Sequence, residues 1–175
     1  SDAIAAIEAD CAQAGIGVRR LSVSHAFHSP LIAPMQAWFG DVLAGASYHP
    51  AQLSVVSGQW GRALSSNETL GADYWAAQVR APVQFAGGMQ TLAQLGCDVL
   101  VEVGPGGQLT GLGQLSWEQT GRDTAAWVTP LRGKGDEVAG VLGAVGQLYT
   151  AGAALDWAAL DGSTPHRALL PTYPF

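Results

Sequence analysis

The chain holds 175 residues, enough for one ordinary domain with a real core, and its 48% apolar and 13% charged composition is not that of a disordered segment. Eight basic residues against 14 acidic ones give a net charge of −6. There is one lysine, Lys134, and no basic cluster. Nucleic acid is therefore a poor partner, and a CoA-like anion would have to be held by individual arginines and backbone groups.

In chain order, Ile4, Ile7, Cys11 and Ala14 recur at helical spacing behind an Asp2 cap, with Gly15 as a stop. The segment GVRRLSVS (17–24) alternates as a strand. Ser29 and Pro30 open a second helix with Leu31, Met35, Trp38, Phe39 and Val42 on one apolar face. QLSVVSG (52–58) is a short strand ending in glycine, and DYWAAQV (73–79) is helical. Pro82 can sit at the first position of another helix running to about Leu95. DVLVEVGPGG (98–107) is a buried strand breaking into a glycine loop, with a short helix beyond it. After Ser116, TAAWVTPL (124–131) is strand-like and Asp136–Thr150 helical, and HRALLPTYPF (166–175) is an extended tail punctuated by prolines. This alternation of strands and helices predicts α/β architecture with a largely parallel sheet.

Cys11 and Cys97 are far apart and in no metal or redox spacing, which fits a reduced, cytoplasmic setting. The segment SDAIAAIEAD (1–10) lacks the basic start of a signal peptide. Val138 to Leu155 is a run of 18 uncharged residues, but its four glycines together with Gln147, Tyr149 and Thr150 suit a buried soluble helix better than a membrane span. The chain opens directly in a helix and a strand, which suggests a piece of something larger.

Chemistry concentrates in SVSHAFHSPLIAP (22–34), where His25 and His28 stand where a strand gives way to a helix. On the residues alone, three readings are open. As a metal site, the pair supplies two ligands where zinc needs a third and usually a fourth, and neither cysteine, His49 nor His166 has a supporting pattern. As plain polar residues, both could be satisfied at a turn. As catalytic groups, one would be a neutral imidazole poised to take a proton from a nucleophile and oriented through its other nitrogen.

VSHAFHSPLIAPM (23–35) resembles the histidine-containing motif of acyltransferase domains from type I modular polyketide synthases, relatives of malonyl-CoA:acyl-carrier-protein transacylases. The likeness continues through YWAAQVRAPVQF (74–85), DVLVEVGPGGQLTGL (98–112) and LPTYPF (170–175), four ordered matches over nearly the whole chain. The resemblance implies that His28 is the catalytic base. It implies that Gln78 lends a backbone carbonyl to the Nδ1–H of that histidine, the orienting job of the carboxylate in a Ser-His-Asp triad. It implies that His25 and Phe27 belong to the specificity signature that goes with malonyl-CoA. No metal or bound cofactor is implied: malonyl-CoA is the acyl donor, and phosphopantetheine on the acyl carrier protein is the acceptor.

The family's nucleophile is a serine in a G-H-S-x-G elbow, and no G-x-S-x-G occurs in this chain; Ser24, Ser29 and Ser57 sit in no such elbow. The resemblance therefore implies the C-terminal part of an acyltransferase. Residues 1–24 would end a small ferredoxin-like subdomain, 25–115 would complete an α/β-hydrolase-like core, and 116–175 would be a linker running back over a ketosynthase domain. The implied partners are the N-terminal half of the same domain, the ketosynthase and the acyl carrier protein, with no membrane and no nucleic acid. A non-catalytic docking module of a polyketide synthase is the alternative, and a metal-binding α/β domain a more distant one.

Overall fold

A computed structural model describes residues 2–18, 25–123, 125–131 and 135–162. Most of the strand expected over 17–24, the whole tail from His166 onward, and Lys134 lie outside them. The described residues form a mixed α/β structure. Its elements are α1 (Asp2–Gln13), a single 3-10 turn (Pro30–Ile32) running into α2 (Ala33–Ala44), α3 (Ala72–Gln78), α4 (Phe85–Gln94), β1 (Val99–Val101), α5 (Gln108–Glu118), β2 (Ala126–Val128), α6 (Glu137–Thr150) and α7 (Trp157–Asp161). The chain divides into two compact units, 1–53 with 64–83 and 54–63 with 84–175.

In the first unit, α2 packs on α3. Ile32 of the 3-10 turn and Tyr74 of α3 are buried, and the Gln36 amide of α2 donates to the Ala76 carbonyl at 3.4 Å. The apolar face expected for α2 is only half right. Met35 and Phe39 are half-buried, but Leu31 is 78% exposed and Trp38 67%. Burial instead follows Ile32, Gln36, Phe39 and Leu43, a stripe rotated by one residue toward α3. Helical spacing identifies an apolar side, whereas the position of the neighbour decides which part of it is covered.

In the second unit, β1 and β2 pair in parallel, in the register Val99 with Ala126, Leu100 with Trp127 and Val101 with Val128. The crossover between them is α5, which also packs on α4. Ala93, Trp117 and Ala125 form the core, with Leu92, Leu100 and Trp127 against it. The Trp117 and Trp127 rings meet edge to face at 6.0 Å, and the Trp117 indole N–H donates to the Asp123 carbonyl. Asp136 caps α6 as an acceptor for the Val138 and Ala139 amides.

Three features differ from expectation. The boundary expected at 115/116 falls inside α5, and residues 116–131 supply Trp117, Ala125, Val128 and a paired strand to the second unit. The strand expected at 52–58 is reduced to one antiparallel bridge between Val56 and Ala63. The chain turns back at once there: the Ser57 amide donates to the Arg62 carbonyl, and the fully buried Ser57 hydroxyl accepts from the Trp60 amide. The helix expected from Pro82 begins at Phe85.

Candidate functional site

The start of the 3-10 turn fixes the local geometry. Ser29 is extended (φ −141°, ψ 165°), and its hydroxyl accepts from the Leu31 amide at 3.2 Å while donating to the Ala26 carbonyl at 2.7 Å. Pro30, with φ preset and no N–H to leave unpaired, occupies the first position of the turn. The residue just before this cap, His28, has φ +62°, a left-handed backbone found at no other non-glycine residue among those described. Such a conformation costs an L-residue on the order of 1–2 kcal/mol and persists only when its surroundings impose it.

Those surroundings are the residues just after α3. The His28 backbone N–H donates to the Val79 carbonyl at 2.8 Å, and its ring Nδ1 lies 2.8 Å from the Ala81 carbonyl oxygen. A carbonyl can only accept, so this contact needs a proton on Nδ1, and in the neutral ring the lone pair is then on Nε2. His28 thus has its backbone N–H and its ring both tied to the segment that follows α3, with the side chain exposed.

The expected partner was the Gln78 carbonyl, and the ring contact in the structure is to the Ala81 carbonyl. Gln78 is the last residue of α3, where carbonyls run along the helix axis; Ala81 lies beyond the final turn and its oxygen meets the ring. The sequence carried a signal for this: a proline at 82 turns the preceding residue away from helical geometry.

His25 and Phe27 come together, their rings edge to face with centroids 6.2 Å apart. With Leu31, Ile32, Pro34 and Met35 they line an open cavity of about 310 Å³ whose lining is mainly apolar. Of the candidate serines, Ser29 is engaged as the cap and Ser57 is buried in the second unit, while Ser24 lies outside the described residues. Among the described residues no group of three or more His, Cys, Asp or Glu side chains could hold a metal ion, and no helix is long and apolar enough to cross a membrane. Two arginines are engaged within the second unit: Arg62 stacks on Trp60 at 4.6 Å and donates to the Ala63 carbonyl, and Arg122 donates to the Ala93 carbonyl.

A second polar cluster went unnoticed in the sequence. The Glu102 carboxylate, at the end of β1, accepts from the amides of Leu109 and Thr110 and from the Thr110 hydroxyl, which also meets the Thr129 hydroxyl at 2.9 Å. These bonds, led by the Thr110 hydroxyl, hold the Glu102 carboxyl below its ordinary range despite partial burial acting the other way. The cluster ties the glycine loop and the first turn of α5 to the strand.

Comparison with known proteins places this geometry in a family. Residues 1–155 match the acyl transferase domain family. The chain is 41% identical, over its full length, to polyketide synthase GfsA of Streptomyces halstedii, and 43% identical over 99% of its length to the type I phenolphthiocerol synthesis polyketide synthase Pks15/1 of Mycobacterium marinum. It spans only 2% and 8% of those two proteins. Among solved structures, the acyltransferase domain from the second module of the salinomycin polyketide synthase superposes with a TM-score of 0.80 at 36% identity, over 93% of this chain and 37% of that one. On sequence and fold together, the chain belongs to the acyl transferase domain family, as found in polyketide synthases.

Proposed function

We propose that this chain is the histidine-bearing, C-terminal part of an acyltransferase that moves an extender acyl group, malonyl, from CoA to an acyl carrier protein. The observation that supports this reading is the tethered His28, whose ring Nδ1 is engaged by the Ala81 carbonyl and whose backbone is left-handed. The nucleophilic serine is supplied by the N-terminal half of the same domain. His28 Nε2 takes the serine proton as the hydroxyl oxygen attacks the malonyl thioester, and it returns that proton to the departing CoA sulfur. In the second half, Nε2 takes the proton of the phosphopantetheine thiol. The thiol sulfur attacks the acyl-serine, and the serine oxygen leaves and recovers a proton from the ring. His25 and Phe27 wall the space beside the malonyl α-carbon.

In this reading, residues 1–24 close a small ferredoxin-like subdomain, and residues 25 to about 115 complete an α/β-hydrolase-like core. The C-terminal residues run on as a linker toward a ketosynthase, in the reducing cytoplasm. The test is acylation by labelled malonyl-CoA. The chain by itself remains unlabelled; mixed with the serine-bearing half it restores transfer to the carrier protein. Stoichiometric labelling of this chain alone, or no transfer from a stable complex of the two halves, would overturn the reading.

A further inference from the structure

We infer that Pro82 is a positioning residue for His28: by ending α3 it turns the Ala81 carbonyl off the helix axis and onto the imidazole Nδ1. Helical bonding reaches its last donor just before it, since the amides of Arg80 and Ala81 both donate to the Ala77 carbonyl, at 3.1 and 2.9 Å. One more turn would have residue 82 donate to Gln78 and would commit the Ala81 carbonyl to a helical partner four residues on. Proline has no N–H for the first bond, and its ring disfavours helical geometry at the residue before it. The carbonyls beyond the break therefore need donors from elsewhere.

His28 provides two of them. Its backbone N–H takes the Val79 oxygen and its ring N–H the Ala81 oxygen, two carbonyls two residues apart holding one histidine at both ends. The same arrangement accounts for the left-handed backbone at His28. The residue is held by the Ser29 cap on one side and by these two bonds on the other, so the cost of φ +62° is met by contacts that the broken helix creates. Pro82 touches neither donor nor acceptor of the acyl group; it acts through the Ala81 oxygen, which selects the tautomer and the ring plane of His28.

This inference rests on His28 being the base, and the experiment separates the two. The histidine ring nitrogens of the 15N-labelled 175-residue chain are observed by NMR at alkaline pH, where the rings are neutral. The parent shows His28 protonated on Nδ1, the less common tautomer of a free histidine side chain. In Pro82→Ala that preference is lost, and in Ala81→Gly, which relaxes the restriction on the pre-proline residue, it is weakened. Replacing Pro82 with N-methylalanine, which also lacks the N–H and also crowds residue 81, restores it. In the acyltransferase assembled with its serine-bearing half, Pro82→Ala slows single-turnover acylation at saturating malonyl-CoA by about 10- to 100-fold with KM little changed. If Pro82→Ala does not fold, the tautomer shift in Ala81→Gly decides. A parent tautomer preserved in the folded variants overturns the role of Pro82 and leaves His28 as base; full activity of His28→Ala overturns the base itself.

Discussion

The Nδ1 of His28 and the carbonyl oxygen of Ala81 are 2.8 Å apart although 53 residues separate them in the chain. The proposed role as base needs one ring nitrogen kept for the reaction, and this contact occupies the other. In the assembled acyltransferase, His28→Ala is expected to slow acyl-enzyme formation by roughly 10²–10⁴-fold. His25→Ala, which alters a cavity wall, is expected to cost far less. Single-turnover rates in the opposite order would show that the wrong histidine had been assigned.

Extender choice is expected to follow the His25–Phe27 pair, whose rings stand edge to face in the lining of the apolar cavity. A methyl-sized distinction is worth about 1–3 kcal/mol, or roughly 10–200-fold. The double change His25→Tyr with Phe27→Ser is expected to move the ratio of kcat/KM for methylmalonyl-CoA over malonyl-CoA upward by about tenfold without a complete switch. Competition assays with both donors check this, and an unchanged ratio removes the segment from specificity.

Gly113 is under the Trp127 indole. A Cβ built on it would come within 2.6 and 2.7 Å of ring carbons, whereas one on Gly111 of the same helix would meet nothing within 4 Å. Gly111→Ala is therefore expected to stabilise the chain by about 0.5–1 kcal/mol through helix propensity. Gly113→Ala gains the same but must displace a ring wedged against Trp117, at about 1–3 kcal/mol. Urea midpoints moving in opposite directions for the two variants are the expected result.

Thr110 is buried and bridges Glu102 to Thr129. Thr110→Val keeps the shape and removes the hydroxyl from both partners, at an expected cost of about 1–3 kcal/mol. The carboxyl of Glu102 is lowered in the folded state, so its contribution is present above the ordinary carboxylate range and is lost as pH falls through the lowered value. Glu102→Gln is accordingly expected to melt below the parent at neutral pH, with the gap closing in acid. A gap that stays constant across the titration would show that the carboxylate charge is not what secures α5.

The helices with a cap or a stop written beside them were legible in the sequence: Asp136 ahead of α6, the Ser29-Pro30 start before α2, Gly15 after α1 with φ +70°. The apolar run at 98–101 and the one at 126–128 were legible as strands, and their parallel pairing follows from the helix between them. Sequence reasoning failed where a distant neighbour decides. The covered stripe of α2 depends on where α3 lies, and the reach of the core past residue 115 depends on Trp117 and Ala125 meeting Ala93. At the candidate site the Ser29-Pro30 turn beside His28 was legible, whereas the carbonyl that meets the His28 ring is three residues beyond Gln78. Backbone carbonyls have no letter in a sequence, and only the bend at Pro82 distinguishes the one at Ala81 from the one at Gln78.

The left-handed backbone of His28 also decides which substitution is a fair control. Alanine at φ +62° inherits the steric cost that histidine bears but neither the ring nor the hydrogen bond that offsets it, so an alanine variant mixes lost chemistry with a relaxed loop. Asparagine enters this region with much less resistance than other L-residues, and its short amide can still offer an N–H toward a carbonyl, yet it cannot accept a proton as a base. His28→Asn is thus the variant that keeps the shape of the turn while silencing it. Whatever activity separates it from His28→Ala measures the geometry of the loop, and whatever separates it from the parent measures the imidazole.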